Sequence, residues 1–314
     1  MKLKNNEPFI LAVVVFFTLV TYYLVEPYAH HVMHKHVDSE KFAYADLPAI
    51  TKTGDAVAGK DLITNSGCTG CHSMEVAGMP APMDAVTSAQ SYGVNPPDLS
   101  NAGSIYDAKF LADLIKNPAH ALNVEHKFDA AKGQMHPMVA FYGMGGDIDQ
   151  EVADMVAYLQ SIAKTDLTPA VVFENACGRC HAAGYVKWTQ IGSKPAFKKK
   201  QDELIFDAKV LDYQDALKKY MGKLPPDLSM YIRSRNEHFI STLVENPQNH
   251  LAGTAMPRVG VTQESMDKII THMKDAGDAK RHERESVGKM VMIYIVIFAI
   301  FALLWKKQVW RKLH

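Results

Sequence analysis

The string Cys68-Thr-Gly-Cys71-His72 occurs once near the start of this chain, and the string Cys177-Gly-Arg-Cys180-His181 occurs once in its second half. Together the two strings contain all four cysteines of the 314-residue sequence. Cys-x-x-Cys-His is the attachment pattern of c-type haem, in which the two sulfurs form thioethers with the porphyrin and the histidine ligates the iron. The sequence therefore predicts two covalently bound haem c groups, held by these four cysteines and by His72 and His181 as iron ligands.

Two other readings of a Cys-x-x-Cys pair are a thioredoxin-like redox couple and half of a zinc site. A redox couple needs no following histidine, and no βαβ pattern surrounds either string. One zinc site built from all four cysteines would leave both histidines without a role. Both readings are therefore weaker than haem attachment.

Charge excludes one class of partner. Lysine plus arginine and aspartate plus glutamate each total 34, so the net charge gives no argument for nucleic-acid binding. The length allows two domains of ordinary size with appendages at both ends. We therefore predict no nucleic-acid partner.

Two apolar stretches without charges lie near the ends of the chain, at Phe9–Val25 and Met290–Trp305. Their lengths are at the short end of the roughly 17–25 residues that span a bilayer, and lysines flank both. No small-x-small cleavage site directly follows the first stretch, so we expect a retained anchor rather than a signal peptide. The flanking positive charges predict cytoplasmic termini, with everything between the two helices in the periplasm of a bacterial inner membrane. The lipid bilayer is thus a predicted partner.

The region between the apolar stretches contains an internal repeat. The string Pro-Pro-Asp-Leu-Ser occurs at 96–100 and again at 225–229, and Asn117-Pro118 recurs as Asn246-Pro247 at the same offset. A single register over such a length indicates a duplication. More residues separate the second haem histidine from its Pro-Pro-Asp-Leu-Ser string, and the excess falls around Lys198 to Tyr220. We predict a charged helical insertion there.

These patterns predict a mainly α fold: two tandem class I cytochrome c-like domains flanked by an amino-terminal and a carboxy-terminal transmembrane helix. Val152, Met155, Val156 and Leu159 form an apolar stripe with helical spacing, and no strand alternation of useful length occurs. The predicted boundaries are an anchor at 1–30, a linker at 31–52, domain 1 at 53–164, domain 2 with its insertion at 165–275, a charged stalk at 276–289, and an anchor with a cytoplasmic tail at 290–314.

A methionine thioether as sixth ligand raises a haem's reduction potential and closes the iron to other ligands. Met256, in Ala-Met-Pro ahead of the last helix of domain 2, is the candidate for the second haem. Met138 is the candidate for the first, because it precedes Val-Ala-Phe-Tyr-Gly much as Met256 precedes Pro-Arg-Val-Gly. Met135 and, as a bis-histidine alternative, His136 remain open.

Four further residues are predicted to support the haems. A carbonyl from the Pro97 or Pro226 turn is expected to accept a hydrogen bond from the proximal histidine; a plain turn is the alternative. Arg233 and Arg235 are expected to pair with haem propionates, although a solvated cationic face is a close alternative.

The second repeat reads Pro225-Pro-Asp-Leu-Ser-Met-Tyr-Ile-Arg-Ser-Arg235, and Ala-Met-Pro and an anchor followed by basic residues come after it. This arrangement resembles cytochrome c1 of the cytochrome bc1 complex. The whole chain is similar to the two-haem cytochrome c subunit that replaces ordinary c1 in some bacteria. Ordinary c1 has one haem and one membrane helix.

The resemblance implies cytochrome b and a Rieske iron–sulfur protein as partners, and electron transfer from the Rieske protein to a periplasmic acceptor such as a soluble cytochrome c. The chain would be an electron-transfer subunit of a quinol–cytochrome c reductase and not an enzyme on its own. The first alternative is the dihaem subunit of a cbb3-type oxidase, which normally lacks a carboxy-terminal anchor. A dihaem cytochrome c peroxidase is disfavoured by the two anchors and by the methionines of both units.

Overall fold

The computed structural model describes residues 6–33, 37–128 and 132–313. Lys2 and Lys4, whose charges flank the first apolar stretch, lie outside the described residues. The described chain is mainly helical, and it has one two-stranded antiparallel sheet, in which Trp188–Thr189 (β1) pairs with Gly192–Ser193 (β2). We call residues 53–164 the first unit and residues 165–275 the second unit.

The helices fall into four groups along the chain. The amino-terminal group is α1 (Glu7–Val20) and α2 (Glu26–Met33), joined by a π-helical turn at Thr21–Val25. The first unit contains α3 (Ala56–Asn65), α4 (Ala85–Tyr92), α5 (Ala102–Ile105), α6 (Ala108–Lys116), α7 (Pro118–Ala121) and α8 (Ile148–Ile162). The second unit contains α9 (Pro169–Ala176), α10 (Lys200–Met221), α11 (Tyr231–Ser234), α12 (Glu237–Glu245), α13 (Pro247–His250) and α14 (Gln263–Gly277). The last helix is α15 (Arg281–Leu313).

Helices α3 and α8 cross closely in the first unit. A Cβ on Gly59 of α3 would lie 1.9 Å from the carbonyl oxygen of Asp154 on α8, so only glycine permits this approach. Asp147 caps α8 by accepting a hydrogen bond from the Asp149 amide (3.0 Å). All four residues of the predicted apolar stripe on α8 are at most 3 % exposed, which confirms that stripe.

The second unit repeats part of this arrangement. Helices α12 and α13 begin and end at the positions that the sequence repeat assigns to α6 and α7. Helix α9 starts at Pro169 and packs against α14. The helix α10 occupies the place of the predicted insertion and packs on α4 of the first unit, burying Ala89, Tyr213 and Leu217 together.

The segment predicted as a linker is part of the core. Its side chains Phe42, Tyr44 and Leu47 are at most 5 % exposed, and they share one apolar cluster with Phe110 of the first unit and Phe173 of the second. Large apolar side chains bury here because the two units leave an apolar seam that the segment covers. This stretch therefore joins the units by packing as well as by chain connection.

Hydrogen bonds fix the same segment to the second unit. The Phe42 amide donates to Glu245 Oε1 (2.5 Å), and the Tyr44 hydroxyl donates to the Val261 carbonyl (2.7 Å). Both contacts are buried, where an unpaired polar group would cost about 1–3 kcal/mol. The segment is thus held in one register against the second unit.

The terminal helices are long and apolar enough to cross a membrane, at Glu7–His31 and Glu283–Arg311, and no part of either apolar window is buried inside the protein. Lys306 Nζ lies 2.7 Å from Glu7 Oε2, so the outer ends of the two helices meet. Helix α15 begins at Arg281, so most of the predicted charged stalk continues into the apolar helix.

Candidate haem sites

The first Cys-x-x-Cys-His string forms one tight turn. The Cys68 carbonyl accepts hydrogen bonds from the Cys71 amide (3.2 Å) and from the His72 amide (2.9 Å). Residues spaced three and four apart in a helical turn share a face, so both sulfurs and the imidazole lie on one side of the turn. This is the arrangement that attachment at two thioethers and one axial ligand requires.

The imidazole of His72 is oriented by the Pro97 carbonyl. Nδ1 lies 2.9 Å from this oxygen, which only accepts, so Nδ1 carries the proton and Nε2 keeps its lone pair. Burial lowers the pKa of His72, so the neutral ring is favoured. A neutral imidazole with a free Nε2 lone pair is the form that ligates a metal.

The second string has the same geometry. The Cys177 carbonyl accepts from the Cys180 amide (3.1 Å) and the His181 amide (2.9 Å), and His181 Nδ1 donates to the Pro226 carbonyl (2.8 Å). Burial lowers the pKa of His181 and so favours the neutral ring here too.

The cysteines of the second string do not resemble a redox couple. Burial raises the pKa of the Cys177 thiol to about 12 and also raises the pKa of Cys180. A thioredoxin-like pair has a lowered thiol pKa, because the thiolate is its reactive form. The burial of this turn therefore disfavours a thioredoxin-like couple.

Residues after each proline hold the turn in place, and sequence analysis did not assign them this role. In the first unit the Leu99 amide donates to the Ser73 carbonyl (2.8 Å), and Ser100 Oγ accepts from the Val76 amide (3.1 Å). Asp98 Oδ1 in turn accepts from the Ser100 amide (2.6 Å). The Pro-Pro-Asp-Leu-Ser string thus clamps the residues that follow His72.

The equivalent bonds recur in the second unit. The Leu228 amide donates to the Ala182 carbonyl (2.8 Å), Ser229 Oγ accepts from the Tyr185 amide (3.0 Å), and Asp227 Oδ1 accepts from the Ser229 amide (2.7 Å). The repeated Pro-Pro-Asp-Leu-Ser string was the sequence signal for this role, because a string that recurs at the same place in two units indicates the same local hydrogen bonds.

The candidate methionines differ in burial. Met138 and Met256 are partly buried, and Met256 packs against the main core cluster. Met135 is 66 % exposed. His136 Nδ1 lies 3.1 Å from the Met138 amide nitrogen and 3.3 Å from its carbonyl oxygen; the shorter contact makes Nδ1 the acceptor and places the ring proton on Nε2. Met138 thus remains the better candidate over Met135 and His136, and its ligation stays a prediction.

The two predicted propionate partners lie on the surface. The Arg235 guanidinium lies 5.4 Å above the centre of the Phe239 ring, and Arg233 faces Asp278, whose pKa is lowered mainly by Arg284 with a contribution from Arg233. Both arginines are exposed. Their role toward propionates stays a prediction.

Two other arginines have buried donors without an acceptor among the described residues: Nε of Arg179, and Nε and Nη1 of Arg258. Arg258 is 3 % exposed and pairs through Nη2 with Asp46 (2.6 Å). An unpaired buried donor costs about 1–3 kcal/mol, more when charged, so such donors fit an anionic group that haem supplies as carboxylates. The turns, the neutral histidines and these donors together fit haem c.

Part of the chain is similar to known cytochromes. Residues 56–163 match the family model for cytochrome c, so the chain contains a cytochrome c domain, a domain type that carries covalently bound haem c. The chain is 22 % identical over 203 residues to the cytochrome c1 of Allochromatium vinosum, covering 46 % of this chain and 83 % of that protein. A solved chain of a hyperthermophilic respiratory Complex III aligns with a TM-score of 0.37 at 21 % identity, covering 46 % of this chain and 75 % of that one.

Proposed function

We propose that this protein is a membrane-anchored dihaem cytochrome c that transfers electrons from a Rieske iron–sulfur protein to a periplasmic acceptor within a quinol–cytochrome c oxidoreductase complex. The observation that carries the proposal is the repeated histidine–proline pair. His72 with Pro97 and His181 with Pro226 have matching Nδ1 to carbonyl distances of 2.9 and 2.8 Å. Two sites built the same way imply two haems with the same proximal ligation.

Each unit contributes the same set of functions. The cysteines would hold the porphyrin through thioethers, and the histidine, whose Nδ1 is held by its proline carbonyl, would ligate the iron through Nε2. Met138 and Met256 would supply the other iron ligands, which would favour electron transfer over oxygen binding. Bound haem iron would supply the one-electron couple. No described residue is needed as a general acid or base for this role.

The membrane helices support a place in a bilayer complex. Both apolar helices are unburied within the chain, so lipid or other subunits are what remains to cover them. The Glu7–Lys306 ion pair joins the outer ends of the two helices, which favours both termini on one side of the membrane. The similarity to cytochrome c1 supports cytochrome b and a Rieske protein as the neighbours.

Haem counting tests the central claim. The denatured chain should retain two haems through acid–acetone extraction, because thioethers survive denaturation. The double variant Cys68→Ala and Cys71→Ala should retain one haem, and Cys177→Ala with Cys180→Ala should also retain one. Loss of all haem from the unsubstituted chain would refute covalent attachment.

Purification from native membranes in mild detergent tests the complex. We expect cytochrome b and an iron–sulfur protein to copurify, and deletion of α15 to weaken that association, because helix packing in the bilayer contributes to subunit contact. Copurification with a haem–copper oxidase core would instead identify the cbb3-type alternative. Peroxide turnover by the purified chain would identify the peroxidase alternative.

A further inference from the structure

The two haem-attachment segments meet directly at one residue. Arg179 lies between the two cysteines of the second string, and its Nη1 donates to the carbonyl oxygen of Asn95 (3.0 Å) in the first unit. Asn95 is two residues before Pro97, whose carbonyl orients His72. The Arg179 side chain of the second motif thus contacts the backbone just before Pro97, whose carbonyl orients the histidine of the first motif.

Tyr213 of the insertion helix α10 hydrogen-bonds both partners of this contact. The Tyr213 hydroxyl accepts from the Asn95 amide (3.1 Å) and donates to the Arg179 carbonyl (2.8 Å). Tyr213 is fully buried, at 0 % exposure, in a cluster with Leu217 that also contacts Cys180. The contact between the units is therefore a set of three part-buried hydrogen bonds around the fully buried Tyr213.

Only the second motif carries this cation. Gly70 stands in the first string where Arg179 stands in the second, and no atom lies within 4 Å of a Cβ built on Gly70. The first motif therefore has no side chain at the position of Arg179 that could make the equivalent contact with the second unit.

Arg179 adjoins both sites. It directly precedes Cys180 and lies two residues before His181, and its guanidinium reaches the backbone two residues before Pro97. Its Nε is buried with no acceptor among the described residues. Buried and partly buried charges are screened by salt much less than exposed ones.

We propose that Arg179 is a positioning residue shared by both haem sites: held at the Asn95 carbonyl, it keeps one partly buried positive charge next to both attachment segments and raises the reduction potential of both haems. The inference rests on the proposed two-haem function. A fixed positive charge favours the reduced form, because reduction adds a negative charge to the site. One residue therefore shifts both potentials in the same direction.

Potentiometric titration of the full haem-loaded chain in detergent tests the proposal. We expect Arg179→Gln to lower the reduction equilibrium constant of both haems by roughly tenfold each, equivalent to about 59 mV for a one-electron couple. Arg179→Lys keeps the charge and should retain most of both potentials. Lys219→Gln, which removes an exposed charge from the insertion helix, should change neither potential by more than a small fraction of that shift.

The outcomes separate this proposal from the proposed function. One haem in the unsubstituted chain would refute the two-haem function before any variant is compared. Two haems with a shift at only one centre, or at neither, would overturn the shared role of Arg179 and leave the function standing. An equal fall in Arg179→Lys and Arg179→Gln would show that packing and not charge sets the potentials. Should Arg179→Gln fail to load haem, Arg179→Met supplies the neutral comparison.

Discussion

Replacement of Leu217 by alanine should loosen the junction between the insertion helix and the first unit. Leu217 is 0 % exposed and packs with Ala89 of α4 and with Tyr213. A buried leucine to alanine change costs about 2–5 kcal/mol, from lost burial and from the cavity left behind. Because this cluster is small and α10 is held at one face, we expect about 3 kcal/mol.

The same helix supplies a matched control. Leu211 is 61 % exposed, so Leu211→Ala removes the same atoms from a site that folding hardly buries, and we expect a change within about 0.5 kcal/mol. Alanine is also the stronger helix former, so helix propensity cannot explain a loss at Leu217.

Two measurements check the difference. Guanidinium unfolding of the full haem-loaded chain in detergent, followed by circular dichroism, gives the free-energy change of each variant. Hydrogen exchange shows where in the chain the destabilisation occurs. A loss of about 3 kcal/mol raises the local opening equilibrium roughly a hundredfold. We expect faster exchange in peptides from α4 and α10 before those from α3 and α8. Equal effects of Leu217→Ala and Leu211→Ala, or exchange that rises only outside α4 and α10, would refute the assignment of this junction.

Three other predictions concern ligation, topology and packing. Met256→Ala should lower the reduction potential of one haem and allow carbon monoxide to bind its reduced form, and Met138→Ala should do the same at the other haem. The exposed Met135 should tolerate alanine. Loss of the ligand in Met135→Ala but not in Met138→Ala would reassign the ligand of the first haem. A reporter active only in the periplasm should be silent when fused after His314 and active between the two units, and a bright carboxy-terminal fusion would disprove the topology. Gly59→Ala places a methyl carbon 1.9 Å from a carbonyl oxygen of α8, so thermal unfolding should show a loss of about 1–3 kcal/mol or more.

Local chemistry was readable from the sequence. The two Cys-x-x-Cys-His strings, the stripe on α8 and the apolar ends depend on spacing along one element, and spacing is what a sequence records. The repeat located the insertion, and α10 occupies Lys200–Met221. The Pro97 and Pro226 carbonyls were predictable because a proximal histidine needs an acceptor for its other ring nitrogen and a rigid turn can offer one.

What the sequence did not reveal depends on contacts between segments far apart in the chain. Nothing local marks residues 37–52 as core, since Phe42 and Tyr44 are buried only where both units meet. Burial also distinguishes the arginines: Arg233 and Arg235 near the repeated string are exposed, whereas Arg179 and Arg258 have buried donors without an acceptor among the described residues.

The sequence by itself therefore determined the two Cys-x-x-Cys-His turns, the helical class and the two apolar ends, because each is fixed by residues within a few positions of one another. Only the tertiary structure decided which charges are buried and how the two units meet. Arg179 contacts Asn95 and Tyr213 across separations that no local pattern encodes, and the energy of a charge depends on the dielectric that the folded chain builds around it.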